Sequence, residues 1–171
     1  MAKFTHLTGD RVKMVDISEK GEMYREAVSE GRIFLREETL RSIQEGFVEK
    51  GNVLATARIA ATLAVKQTPL LIPLCHQIPL TAVDVDFEFG KGCIRVEVRI
   101  RSQGKTGVEM EALTGVSVAL LTVWDMVKSA EKDAKGQYPF TRIEGIRVVE
   151  KRKGRKDLHI MKLDKQTQVL N

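Results

Sequence analysis

Cysteine is scarce: Cys75 and Cys93 are the only two in 171 residues. Two thiols without a spacing pattern exclude a disulfide framework. Aromatic residues make up only 5% of the chain, which disfavours the stacking surfaces that grip single-stranded nucleic acid. Histidine is limited to His6, His76 and His159, and none stands at a zinc-type spacing. No apolar run reaches the length of a membrane span, and no secretory leader opens the sequence. The expected location is cytoplasmic, with no membrane partner. Repeats, low-complexity tracts and linkers are also missing, so one domain is expected over residues 1–171.

What the chain does contain is charge. Charged residues are 30% and apolar residues 43% of the sequence, a balance typical of a soluble globular protein. The net charge is +5 and the pI about 9.3, which favours anionic partners. Part of the excess is local: Lys151, Arg152, Lys153, Arg155 and Lys156 surround Gly154. Such a cluster is either a solvated loop, a phosphate clamp or a nucleic-acid contact, and charge alone does not separate these.

Periodicity predicts short strands at Val12–Ile17 and Tyr24–Leu35, then a helix at Glu37–Gln44 that stops at Gly46. A clearer helix is predicted at Asn52–Lys66, with Asn52 as its N-cap. Leu70–Leu80 reads LLIPLCHQIPL. Pro69, Pro73 and Pro79 are expected to break any helix there, leaving a rigid apolar loop. Val83–Phe89 and Ile94–Arg101 alternate as a hairpin around Gly90, Lys91 and Gly92. A long helix ending near Ser129 and a strand at Ile143–Val149 complete the order. Strands and helices that do not strictly alternate predict an α+β fold: an antiparallel or mixed sheet packed with helices, with a ferredoxin-like terminal part.

The long helix is the most informative element. Val116, Val118, Ala119, Leu120, Leu121, Val123, Trp124, Met126 and Val127 leave it no clean polar face, which predicts burial in a core or an interface. Asp125 and Lys128 are neighbours on one side of it, and a pair held in a dry place carries a large desolvation cost. At the other end Thr106 and Glu109 fit a capping box, which leaves Glu111 unexplained. The GKT at Gly104–Thr106 is not a phosphate-binding loop, because Arg99 stands where that motif needs glycine. On a straight helix Glu109 and Asp125 lie about 24 Å apart, at 1.5 Å per residue. Either the helix breaks near Thr114–Gly115, or its ends serve sites completed by a neighbouring chain. The apolar surface favours the second, so a homo-oligomer is expected.

Four segments, MVDIS (Met14–Ser18), KGNVLATARIAA (Lys50–Ala61), LIPLCHQIPL (Leu71–Leu80) and GKTGVEMEALTGVSVALLTVWDMVKS (Gly104–Ser129), together resemble the cyclic pyranopterin monophosphate synthase (MoaC) family. The resemblance runs from about Met14 to Lys156, leaving a short N-terminal arm and a basic C-terminal tail. It implies conversion of (8S)-3′,8-cyclo-7,8-dihydroguanosine 5′-triphosphate to cyclic pyranopterin monophosphate, with release of pyrophosphate. The substrate would come from a radical SAM enzyme. It also implies a homohexamer, a trimer of dimers, with interfacial active sites on a fold that has a ferredoxin-like part. Asp125 and Lys128 match the catalytic DMxK pair and Lys50 an active-site lysine. Leu74, Cys75 and His76 match the LCH segment, and Glu109, Met110 and Glu111 the VEME residues lining the pocket. Arg25 and Lys151 match substrate-facing cations. No resident cofactor or metal is implied, and a divalent ion with the substrate phosphates is left open. The chain departs from the family at KRKGRKD, where Lys153, Arg155 and Asp157 replace two glycines and a lysine, and at Gln77, which stands where proline is usual.

These residue types suit that chemistry. A triphosphate needs cations, which Arg25, Lys50, Lys151 and Lys105 are placed to supply. Ring rearrangement needs proton transfers, assigned to Asp125 and Lys128. Two rival readings are a nucleic-acid-binding module and a ligand-binding module without catalysis. The first leaves the Asp125–Lys128 pair and the LCH loop unexplained.

Overall fold

The computed structural model describes Leu7–Thr8 and residues 11–154. A small antiparallel pair, β1 (Leu7–Thr8) and β2 (Arg11–Val12), opens the described chain. The expected strand at Val12–Ile17 does not form. Asp16 instead accepts a hydrogen bond from the Ser18 N–H at 2.8 Å, and the Lys20 N–H bonds the Ile17 carbonyl at 3.1 Å. Asp and Ser side chains offer the backbone a turn in place of a ladder.

Four strands form the main sheet: β3 (Met23–Phe34), β4 (Leu80–Gly90), β5 (Cys93–Gly104) and β6 (Arg142–Gly154). Their order is β4-β5-β3-β6, and every neighbouring pair is antiparallel. Helices α1 (Glu37–Glu45) and α2 (Val53–Leu71) connect β3 to β4, and α3 (Glu109–Glu131) connects β5 to β6. This is the expected α+β architecture. The ferredoxin-like order involves the whole sheet rather than its terminal part alone.

Alternation decides which side chains meet the helices. Ala27 and Ile33 of β3 and Ile94, Val96, Val98 and Ile100 of β5 face them and are wholly buried. Val116, Ala119, Leu120 and Val123 of α3 are buried against them. By length and composition α3 could cross a membrane, but it is instead the central helix of this core. Gly31 explains how it lies so close to the sheet. A Cβ there would sit 2.8 Å from Leu120 Cδ1 and 2.9 Å from Val116 Cγ1. Gly115 does the same on the helix side, where a Cβ would come within 2.8 Å of Val65. The helix does not break at Thr114–Gly115; the glycine is there for packing.

The opposite face of the sheet is charged. Glu30 is buried yet bonded to Arg95 at 2.8 Å and Arg147 at 2.8 Å. The Arg147 and Arg95 hydrogen bonds hold its carboxyl below the usual range. Glu26 lies beneath Arg99, Arg101 and Arg152. Burial pushes the Tyr24 hydroxyl, which donates to Glu26, up to about 12, with that hydrogen bond adding to the shift.

Three expectations at element ends are corrected. Helix α2 runs to Leu71, with Pro69 inside its last turn. Proline removes one N–H there, but Thr68 Oγ1 bonds the Ala64 carbonyl and the Ile72 N–H returns to Thr68; near a helix end the loss is tolerated. No capping box opens α3, because its N-cap is Val108, which has no capping side chain. The described part of the basic cluster is not a loop. Lys151–Lys153 belong to β6, so strand alternation sends Arg152 to the Glu26 face and Lys151 and Lys153 to the other. Arg155 and Lys156 lie outside the described residues.

Candidate active site

The expected site residues fall into two groups, at the two ends of α3. At its C-terminal end Asp125 stands between two lysines. Lys128 Nζ is 2.7 Å from Asp125 Oδ1, and Lys50 Nζ is 3.0 Å from Oδ2. Lys50 also donates to the Asp125 backbone carbonyl at 2.7 Å. Lys50 enters from the turn before α2, which runs antiparallel to α3 and so begins beside its C-terminal half. The expectation of a dry pocket here is not met within one chain. The Asp125, Lys128 and Lys50 side chains are 57%, 47% and 44% exposed. One strip of α3, through Leu121, Asp125 and Lys128, faces away from both the sheet and α2.

Pairing rather than burial tunes these groups. Hydrogen bonds from Lys128 and then Lys50 lower the Asp125 pKa below the ordinary carboxylate value. The Asp125 hydrogen bond raises that of Lys128. Near neutral pH the carboxylate is ionised and the ammonium protonated, so Lys128 carries the transferable proton in this state.

At the N-terminal end a cleft of about 470 Å³ has the size of a small-molecule site. Leu74, Cys75 and His76 line it from the loop after α2, and Glu109, Met110 and Glu111 from the first turn of α3. Acidic residues there complement the helix dipole. Glu109 is paired with Lys151 of β6. Glu111 is only 3% exposed, and its Oε2 has no hydrogen-bond partner among the described residues. Burial, with the nearby Glu109 charge, raises its pKa. The same carboxyl also borders a second cavity of about 230 Å³, with Lys66 and Gln77 in its wall.

His76 Nε2 lies 2.7 Å from the Val15 carbonyl oxygen. A carbonyl only accepts, so Nε2 carries a proton, and in the neutral ring Nδ1 is left as the acceptor. Burial, then the Glu111 charge, pushes the Cys75 thiol up, which makes it a poor nucleophile. Both cysteines are free thiols. Among the described residues no three His, Cys, Asp or Glu side chains gather as a metal-binding group.

Two expected phosphate cations are otherwise engaged. Arg25 is buried and donates to the carbonyls of Gly104, at 3.5 Å, and Lys105, at 3.3 Å. Lys105 Nζ donates to the Ser18 carbonyl at 2.8 Å. Sequence reasoning missed Val15, Ile17, Lys20, Ile78, Thr106 and Gly107, which complete the cleft. The MVDIS match was the available signal for the first two, but it carried no site assignment.

Comparison with known proteins identifies the family. The MoaC family profile matches residues 14–154. A protein from Methanoregula boonei named as a probable cyclic pyranopterin monophosphate synthase is 69% identical over 154 residues, covering 90% of this chain and 99% of its own. A relative of the same name from Methanosphaerula palustris is 67% identical, covering 90% and 100%. Another from Pyrococcus abyssi is 62% identical, covering 88% and 95%. The chain belongs to the MoaC family.

Proposed function

We propose that this protein is a cyclic pyranopterin monophosphate synthase. It takes the cyclised dihydro-GTP produced by a radical SAM enzyme, rearranges the purine-derived ring and forms the cyclic phosphate. In the last step a ribose-derived hydroxyl attacks the innermost phosphorus. The bond from that phosphorus to the bridging oxygen breaks, pyrophosphate leaves, and the hydroxyl proton passes to a base. The observation that carries this reading is the Lys50–Asp125–Lys128 cluster, a carboxylate held between two ammonium groups 3.0 Å or less away. Lys128 donates protons to the opening ring, and Asp125 takes them back when the cluster rearranges around substrate. At the other end His76 and Glu111 contact the ring, where the buried Glu111 carboxyl, its pKa raised, is placed to exchange a proton. Leu74, Cys75 and Met110 shape the pocket, and Arg25 holds its edge.

The working form is a homohexamer, a trimer of dimers, in the cytoplasm. The hexamer is what the family resemblance implies, and the helix geometry supports a two-fold contact within it. One continuous helix holds Glu109 and Asp125 about 24 Å apart. A two-fold axis across its middle would bring the Glu109 end of one copy against the Asp125 end of the other. Leu121, 58% exposed near that middle, supplies an apolar contact. The partner would then remove water from the Asp125 cluster.

The test is incubation with freshly made cyclised dihydro-GTP, measuring pyrophosphate and the oxidised fluorescent pterin together. The native protein should yield both, and Asp125→Ala neither. No product from well-folded native oligomer would overturn the assignment.

A further inference from the structure

We propose that Tyr138 is a positioning residue for Lys128, presented beside the Asp125 cluster by a preformed loop, residues 132–141, so that its hydroxyl accepts a hydrogen bond from the Lys128 ammonium when Asp125 turns to substrate. This rests on the reaction proposed above and assigns a residue to its proton-transfer step.

The first argument is position. Trp124 and Lys128 stand one turn apart on α3 and so share a face. The Tyr138 ring meets Trp124 edge to face, with ring centroids 5.5 Å apart. Packing is the ordinary reading of such a pair. Here Tyr138 is only half-buried, and its hydroxyl makes no hydrogen bond among the described residues. The hydrogen bond to Asp125 chiefly holds the proton on Lys128, and the nearby Tyr138 adds to that effect. Lys50 faces the same carboxylate from the turn before α2. The groups around the Lys128 ammonium are thus Asp125 of its own helix, Tyr138 of the loop and, across the carboxylate, Lys50.

The loop has no regular secondary structure, yet it is tied down along its length. Glu131, wholly buried at the end of α3, accepts from the Thr141 hydroxyl and from the Arg36 N–H, which closes the loop at its base. A carboxylate at a helix C-terminus opposes the helix dipole, so these bonds account for Glu131 there. Asp133 Oδ1 accepts from the N–H groups of Lys135 and Gln137, both at 2.8 Å. The Gly136 N–H returns to the Asp133 carbonyl at 2.9 Å, and Gly136 has a φ of 76°, which favours glycine. Pro139 restricts the Tyr138 backbone that precedes it. Ordering the loop in advance lowers the entropic cost of using its hydroxyl.

The second argument is what Lys128 needs during the reaction. In the resting cluster its ammonium is 2.7 Å from Asp125 Oδ1. When Asp125 serves the substrate the ammonium loses that partner, and a long exposed side chain has many rotamers to explore. Tyr138 gives it a second acceptor on the same face of α3, so the ammonium stays at the site instead of swinging into water.

Labelling of the full oligomer with acetic anhydride across pH, read at Lys128 by mass spectrometry, tests this without requiring turnover, because only the neutral amine reacts. In an Asp125→Ala background Tyr138→Phe should speed Lys128 labelling about threefold, the scale of losing one acceptor beside an ammonium. Equal Lys128 labelling in Asp125→Ala and in the double variant would overturn the proposal. In the coupled assay Tyr138→Phe should lower kcat about tenfold with KM within about twofold, and move the alkaline limb of the kcat profile to lower pH. An unchanged kcat and profile would also overturn it. Trp124 is the only tryptophan, so its emission reports the ring contact. Tyr138→Phe should preserve that emission, and Tyr138→Leu should alter it; unaltered emission in the leucine variant would overturn the placement of the loop. A native protein whose Lys128 responds to Tyr138 but which releases no pyrophosphate from the cyclised substrate would overturn the reaction alone.

Discussion

The two ends of α3 handle charge in opposite ways. At the N-terminal end Glu111 is buried and its pKa is raised, so the site tolerates the carboxyl by favouring its neutral form. At the C-terminal end Asp125 is exposed and its pKa lowered by two lysines, so the site favours the ionised form. One helix thus carries a buried carboxyl with a raised pKa at one end and an ion cluster at the other. The apolar middle that keeps them apart is packed by Val116, Ala119, Leu120 and Val123. Pairs of titratable groups whose surroundings push their pKa values apart suit acid–base chemistry, provided they can meet. On one straight helix they cannot, which is why the account needs a second copy.

The largest effect should come from breaking the exposed end. Asp125→Asn keeps the shape and removes the charge between the lysines. Turnover should fall at least about a thousandfold, at the scale of losing a principal acid–base group, with the oligomer intact by light scattering. A smaller fall would move the proton transfers to another residue. Leu121→Arg attacks the middle instead. A charge on the proposed two-fold face should dissociate the dimer, visible as a lower mass in solution, and activity should fall with it. Retained mass would place the interface elsewhere.

Packing comes next. Gly31→Val puts methyl groups where Leu120 and Val116 already stand, and overpacking of this kind costs about 1–3 kcal/mol. Chemical denaturation should show that loss.

The buried end predicts a pH effect with a definite sign. A carboxyl whose pKa is raised on folding binds its proton more tightly in the native state. Its stabilising contribution is complete below the ordinary value of 4.5 and is lost as pH rises through the raised value. Glu111→Gln should therefore lose less stability than native protein as pH rises from 4.5 upwards, in melts compared across that range. Parallel curves would mean that Glu111 is already ionised. The smallest effect belongs to Thr106→Ala. With no capping hydrogen bond at the start of α3, stability should change by less than about 0.5 kcal/mol.

Much of the scaffold was legible because local rules and packing agree. Asn52 caps α2, accepting from the Ala55 N–H at 2.9 Å. Gly46 ends α1 in the left-handed conformation. The alternation of Ile94–Arg101 faces apolar residues towards the helices as expected. Other features depend on contacts distant in sequence. Pro69 is held inside α2 although its type argues against it. Thr106 has a capping pattern, but the N-cap of α3 is Val108, two residues beyond it. The run at Lys151–Lys153 looked like one patch because charge was counted without the strand that divides it. The placing of Glu109 and Asp125 at opposite ends of α3 was legible from helix rise alone, whereas no sequence pattern placed Lys20 at the cleft.

The central claim is that the two ends meet across a subunit boundary. Asp125→Ala and His76→Ala proteins, each inactive alone, would be dissociated, mixed in equal amounts and reassembled. A shared site predicts that random pairing restores about a quarter of native activity, because half of the dimers carry one intact site. No activity from verified mixed oligomers would contradict the account, since each site would then lie within a single chain.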